Sequence, residues 1–213
     1  MKKLTIILTV LMVFILALTA TGCIVVGDGN GEDEGSRTTR TYDYTDFTEV
    51  EIGNAFRLEV VPSDTYSITI TAGQNILDKL RVNKSGSRLE IDLTGWVFSI
   101  RGDMEARVTM PVLEGLYLSG ATRTTANGFS SDRDFRGEIS GASSLDMDLT
   151  CGKCDLEVSG ASKITGTLNA TETDLEATGA STIDLEGSGG NTQLVVSGAS
   201  KAQLETFEMV DAD

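Results

Sequence analysis

The chain has 213 residues, 40% of them apolar, and a formal net charge of −15 from 17 basic and 32 acidic side chains. Such an acid excess argues against nucleic acid or anionic lipid as a partner, because both need basic patches to neutralise phosphate. There is no histidine, so the commonest general base and metal ligand is missing and no cofactor is expected.

Residues 1–22 read as an export signal. Lys2 and Lys3 supply the positive start, and Leu4 to Leu18 is apolar apart from Thr5 and Thr9, too short and wrongly flanked for a permanent span. The segment Leu18-Thr19-Ala20-Thr21-Gly22-Cys23 resembles a lipoprotein signal-peptidase site, although Ala20 stands where such sites usually carry leucine. Acylation of Cys23 would then hold the mature chain on a membrane; a cut nearby without lipid, or an uncleaved anchor, are the alternatives. Residues 23–41 follow as a tether: from Gly27 to Arg40 the run is Gly, acid and hydroxyl residues with nothing apolar to bury.

A single β domain is expected over 42–213, with an irregular front part at 42–115. Val50-Glu51-Ile52, Phe56 to Val61, Ser67 to Thr71, Arg88 to Leu93 and Ala106 to Met110 all alternate apolar with polar, the period of a half-buried strand. Only Ile76 to Leu80 suggests a helical turn, and Phe56, Trp96 and Phe98 suggest a wider section that protects the open end of a stack.

From residue 116 onward a turn recurs: Ser119-Gly120-Ala121-Thr122, Ser140-Gly141-Ala142-Ser143, Ser159-Gly160-Ala161-Ser162, Thr178-Gly179-Ala180-Ser181 and Ser197-Gly198-Ala199-Ser200. The glycines advance by 21, 19, 19 and 19 residues. Two short alternating strands per period near 20 make one coil of an all-β, right-handed β-solenoid, not a row of hairpins. Stacking predicts inward columns of Leu116, Gly137, Leu156, Leu175 and Leu194, of Leu118, Ile139, Val158, Ala177 and Val196, and of Leu145, Ile164, Ile183 and Ala202. A fourth column of alanines, Ala121, Ala142, Ala161, Ala180 and Ala199, is expected at the corner, where only a small side chain would fit beside a glycine with unusual backbone angles. The motif therefore reads as a corner; a serine nucleophile would need a base, and no histidine exists.

Cys151-Gly152-Lys153-Cys154 could be half a zinc site or a redox pair. Zinc would need two more soft ligands and redox enzymes start a helix there, which leaves a local disulfide or two unlinked thiols at a turn.

Tyr42 to Val50 leading into Arg57-Leu58-Glu59-Val60-Val61, then Leu89-Glu90-Ile91, then Val108 to Leu116 and the Ser-Gly-Ala repeats, resembles the auto-transporter adhesin head (GIN) domain family. The resemblance implies a right-handed β-solenoid on exported envelope proteins, often lipoproteins, with no established activity or ligand. The chain stops at Asp213 where a further rung would start, so either truncation or an exposed, self-associating end is expected.

The expected function is a non-enzymatic, lipid-anchored envelope or surface module, adhesive towards an extracellular glycan or protein. An accessory that binds another envelope protein is the alternative, and a polysaccharide-acting β-helix enzyme the remote one, since the coils from Phe135 onward have almost no insertions. Outward, Glu138, Glu157 and Glu176 should stack, with Asp155 and Asp174 beside them. A divalent cation would relieve their repulsion, but solvation with Arg136, Lys163 or Lys201 nearby is the cheaper explanation.

Overall fold

The computed structural model describes residues 37–95 and 103–212. The export signal, Cys23 and the tether as far as residue 36 lie outside the described residues, as do Trp96 and Phe98.

The front part runs β1 (Thr38–Tyr42), β2 (Glu49–Ile52), β3 (Phe56–Pro62), β4 (Ser67–Ala72), α1 (Gln74–Leu77), β5 (Leu80–Ser85), β6 (Arg88–Leu93) and β7 (Met104–Met110). It continues through β8 (Gly115–Leu118) and β9 (Arg123–Ser130) into β10 (Phe135–Ile139), β11 (Ser144–Thr150), β12 (Lys153–Val158), β13 (Lys163–Asn169), β14 (Glu172–Ala177) and β15 (Thr182–Val196). Two further strands follow, β16 (Lys201–Gln203) and β17 (Phe207–Ala212).

The result is a parallel β-solenoid of about 5 turns with a repeat near 19 residues. One flank stacks β8, β10, β12, β14 and the second half of β15, in the register Leu116↔Gly137↔Leu156↔Leu175↔Leu194. The other stacks β9, β11, β13 and the first half of β15, in the register Thr124↔Leu145↔Ile164↔Ile183. Side chains alternate across each strand, so the expected leucine, branched and isoleucine columns face one shared interior. Gly137 sits in the leucine column because a Cβ there would lie 2.6 Å from Leu156 Cδ2; its neighbours fill the space. At the last coil the column opens to solvent, and Val196 is 41% exposed.

The corners differ from expectation in which residue is inside. Ala121, Ala142, Ala161, Ala180 and Ala199 are exposed, while the following Thr122, Ser143, Ser162 and Ser181 are buried. The reason is the backbone. Each glycine takes a left-handed conformation, with φ between +72° and +77°, which turns the alanine outward and the next hydroxyl inward. A Cβ on Gly160 would also lie 2.5 Å from the Gly141 carbonyl oxygen, so the glycine is required twice, by conformation and by approach. The alanine supplies its amide: Ala142, Ala161, Ala180 and Ala199 each donate to the glycine carbonyl one coil back at 2.7 to 2.8 Å.

The first interval, 21 residues, contains a bulge at Gly128 (φ +84°), where β9 shifts register against β11 between Asp148 and Leu149. The other extra residue lies between Ser130 and Phe135, since these pair with Thr150 and Cys154.

Two features of the front part depart from the sequence reading. The fold begins before the expected boundary: Thr38 to Thr41, assigned to the tether, form β1 with Tyr42, antiparallel to β4. Thr39 shares a hydroxyl hydrogen bond with Thr71, and Arg40 donates to the Leu77 carbonyl and to Asp78. β-Branched threonines suit a strand, and this one covers the edge of β4. The coils are also stacked out of chain order. β2 lies between β6 and β8, and β3 between β7 and β9, all parallel. The β6–β7 coil is therefore outermost although it follows β2–β3, and antiparallel β4 and β5 flank it. The helical turn is Gln74–Leu77, slightly before the expected position, and it buries Ile76 and Leu77.

The β2–β3 coil carries a concealed version of the corner, Gly53-Asn54-Ala55. Asn54 holds φ +68°, and its carbonyl accepts from the Ala121 amide. Asparagine is the residue that best tolerates the left-handed region after glycine.

Candidate functional site

The outward acidic ladder forms in the expected register, Glu138↔Glu157↔Glu176 beside Asp155↔Asp174. Arg136, in the row of Asp155, donates to Glu138 at 2.9 Å, to Asp155 at 2.8 Å and to Glu157 at 2.6 Å. The Glu138 hydrogen bond and the two carboxylates one coil on raise the guanidinium pKa above its ordinary value, outweighing partial burial. Lys153 bridges Asp174 and Glu172, both at 2.7 Å, and these contacts raise its pKa too. The ladder thus carries its own cations. Among the described residues no group of three or more Cys, Asp or Glu side chains is placed to hold a metal ion.

The front coils repeat the arrangement. Arg88 donates to Glu49 and Glu51, each at 3.0 Å, and lies 3.5 Å over the Tyr117 ring. Burial pushes the Glu49 carboxyl up, but hydrogen bonds from Ser87 and Arg88 win and hold its pKa below the ordinary value.

Cys151 and Cys154 are both buried free thiols, the second of the two arrangements left open by their spacing. Cys154 points into the core between Phe135 and Thr173, and Cys151 closes β11 at the corner. The two thiols act on one another: the neighbouring Cys154 thiol lowers the Cys151 pKa against the effect of burial, and the Cys151 thiol, together with burial, raises that of Cys154. Some corner hydroxyls bond the backbone, whereas those of Ser143 and Ser162 are buried without a partner among the described residues. Ser140 Oγ donates to the Leu118 carbonyl, and Ser181 Oγ to that of Val158.

Lys163 and Lys201 are not beside the acidic ladder. They belong to β13 and β16 on the opposite flank, where the sequence reading placed no site. There an open groove of about 680 Å³ runs across β4, β7, β3, β9, β11 and β13. Arg57, Arg123, Ser144 and Lys163 line one row of it, and Glu59, Thr125, Asp146 and Thr165 the next. Arg107 is ion-paired with Glu59, and Arg57 reaches Asp103 at 3.9 Å. Among the described residues no carboxylate lies within 4.0 Å of the Arg123 guanidinium or the Lys163 ammonium.

Residues 46–213 match the family model described as "Putative auto-transporter adhesin, head GIN domain". The chain belongs to that family. This GIN domain resembles the solved structure of a putative adhesin from Parabacteroides distasonis, with 16% identity, a TM-score of 0.74, and coverage of 84% of this chain and 77% of that one. A second structure from the same organism, called a putative lipid binding protein, gives 14% identity and a TM-score of 0.76 over 84% and 78% of the two chains. A putative adhesin from Bacteroides fragilis gives 15% and 0.58 over 83% and 95%. At such identities these structures support the fold of the GIN domain and say nothing of its ligand. No curated protein matches the chain.

Proposed function

We propose that this chain is a non-enzymatic surface-binding module of the cell envelope, adhesin-like in use and held on a membrane by lipid on Cys23. The observation that supports it most is the groove: an open hollow of about 680 Å³ on a rigid flank, lined by exposed charged and hydroxyl side chains. Membership of an adhesin-named family points the same way. Catalysis is disfavoured because the chain has no histidine to act as base for any corner hydroxyl, and those of Thr122, Ser140 and Ser181 donate to backbone carbonyls. Loss of both membrane retention and surface attachment in Cys23→Ser cells, with attachment also lost on deleting residues 42–213 behind an intact anchor, is the expected result. Unchanged attachment without the domain would remove the reading.

A second reading, an accessory that binds another envelope protein, is favoured by exposed apolar residues near the last coil: Val195 at 57%, Val210 at 86%, with Val196 and Met209. Crosslinking on membranes separates the two, because an accessory captures an envelope partner through these residues and an adhesin does not.

A further inference from the structure

The groove flank carries a charge pattern with a period of two coils. Pairing places Arg123, Ser144, Lys163, Thr182 and Lys201 in one straight outward row, one per coil. From Arg123 onward cation and hydroxyl alternate along that row; on the front side the row continues to Arg57, which pairs with Arg123 and is engaged by Asp103 at 3.9 Å. In the next row outward, Thr125, Asp146, Thr165, Asp184 and Gln203 alternate in the opposite phase. Coils with a cation therefore present it beside a hydroxyl or amide, and the coils between present a carboxylate beside a hydroxyl. Arg123, Lys163 and Lys201 are exposed, and no ion pair within 4.0 Å engages them among the described residues.

Strands of adjacent coils lie about 4.8 Å apart, so the cations recur roughly every 10 Å along the axis. One coil matches about one sugar ring of an extended glycan, and two coils match a disaccharide. The cation coils suit a carboxylated sugar. The carboxylate coils suit a neutral one, whose hydroxyls donate to Asp146 and Asp184.

We infer that this flank, from the groove at Arg123 and Lys163 on to Lys201 beyond it, binds a linear glycan carrying a carboxylate on every second sugar, laid along the solenoid axis. This deepens the surface-binding reading and rests on it. No aromatic side chain lines the groove, so ring stacking is not the mode of recognition; charge register is. A glycan charged at every sugar would set carboxylates against Asp146 and Asp184, and an uncharged one would leave the cations unused. The strongly acidic net charge of the chain disfavours a second copy as occupant, and screening within about 8 Å at physiological salt lets the local row act despite that charge.

The test is calorimetric titration of the full chain in neutral detergent. The probes are four oligomers of equal length: alternating uronate and N-acetylhexosamine, all-uronate, all-N-acetylhexosamine, and polyglutamate. The alternating glycan should bind at least about tenfold more tightly than the others. Lys163→Gln should weaken it severalfold and R123Q/K163Q abolish it, with unchanged melting temperature, while Lys84→Gln on the capping hairpin leaves it unchanged. Equal binding of all-uronate or polyglutamate would overturn the inference in favour of plain charge attraction. Binding indifferent to R123Q/K163Q would overturn it too, as would a dimer by light scattering that those substitutions dissolve. No binding of any probe by a chain that still mediates attachment would overturn the glycan and leave the surface-binding reading standing.

Discussion

The regular coils after β9 and the front part before β8 are built from the same corner and the same strand alternation, yet they hold together differently. In the regular coils each strand pairs with the strand one repeat away, Ser144 with Lys163 and Lys163 with Thr182. Stability there is a sum of nearly equal neighbour contacts. In the front part β2 must find β8 and β3 must find β7, across the inserted β4, α1, β5 and β6. Those contacts close longer loops, at a greater cost in chain entropy. A repetitive stack is thus joined to a non-local cap, and the corner glycine or asparagine marks the distinction.

The largest expected effect is at a corner inside the regular stack. Gly160→Asn should cost about 2–4 kcal/mol by thermal or denaturant unfolding, because the new Cβ meets the Gly141 carbonyl as well as an unfavourable φ. The reverse exchange in the front, Asn54→Gly, should change stability by less than about 1 kcal/mol, since backbone relief is offset by the lost hydrogen bond to Asp92. Equal costs at the two positions would erase the difference between the regions.

Ion pairs come next. Arg136→Ala leaves Glu138, Asp155 and Glu157 facing one another and should cost about 0.5–1 kcal/mol at low ionic strength, shrinking as salt screens the repulsion. In the front coils the corresponding test is pH. Glu49 has a folded pKa below its ordinary value of 4.5, so its contribution is present above that value and is lost as pH falls through the folded one. Glu49→Gln should therefore flatten the acid limb of a melting-temperature profile below pH 4.5 and leave the Arg136 region's salt response intact. The smallest effect is at the corner alanine. Ala161→Glu, on an exposed site, should change stability by no more than about 0.5 kcal/mol.

Much of this architecture was legible in the sequence because a period of 19 fixes register: once the glycines align, Leu156, Val158 and Ile164 fall into columns without further information. The alanine column was misplaced because small residues are read as buried, whereas the glycine's left-handed turn, invisible in composition, faces them outward. The concealed corner at Gly53-Asn54-Ala55 was missed for want of a Ser-Gly pair, though Asn followed by Ala is the signal that would have found it. The order of the front coils had no local signature, since alternation in β2, β3, β6 and β7 is the same whichever strand lies beside which. For the site, the acidic ladder was foreseen and the cation row was not. Yet Arg123, Ser144, Lys163, Thr182 and Lys201 stand at repeat spacing in the sequence, and only their shared outward row needed the fold. The thiols of Cys151 and Cys154 depend on tertiary burial, which spacing alone does not carry; alkylation of the denatured exported chain should place one adduct on each.

The repeated turn holds the stack through its backbone, with glycine carbonyls accepting from alanine amides one coil on. Residue-resolved hydrogen exchange on the intact chain tests this directly. The amides of Ala142, Ala161 and Ala180 should be protected as strongly as those of the adjoining strands, although their side chains are exposed. Exchange at those three amides as fast as in an unstructured peptide would contradict the account.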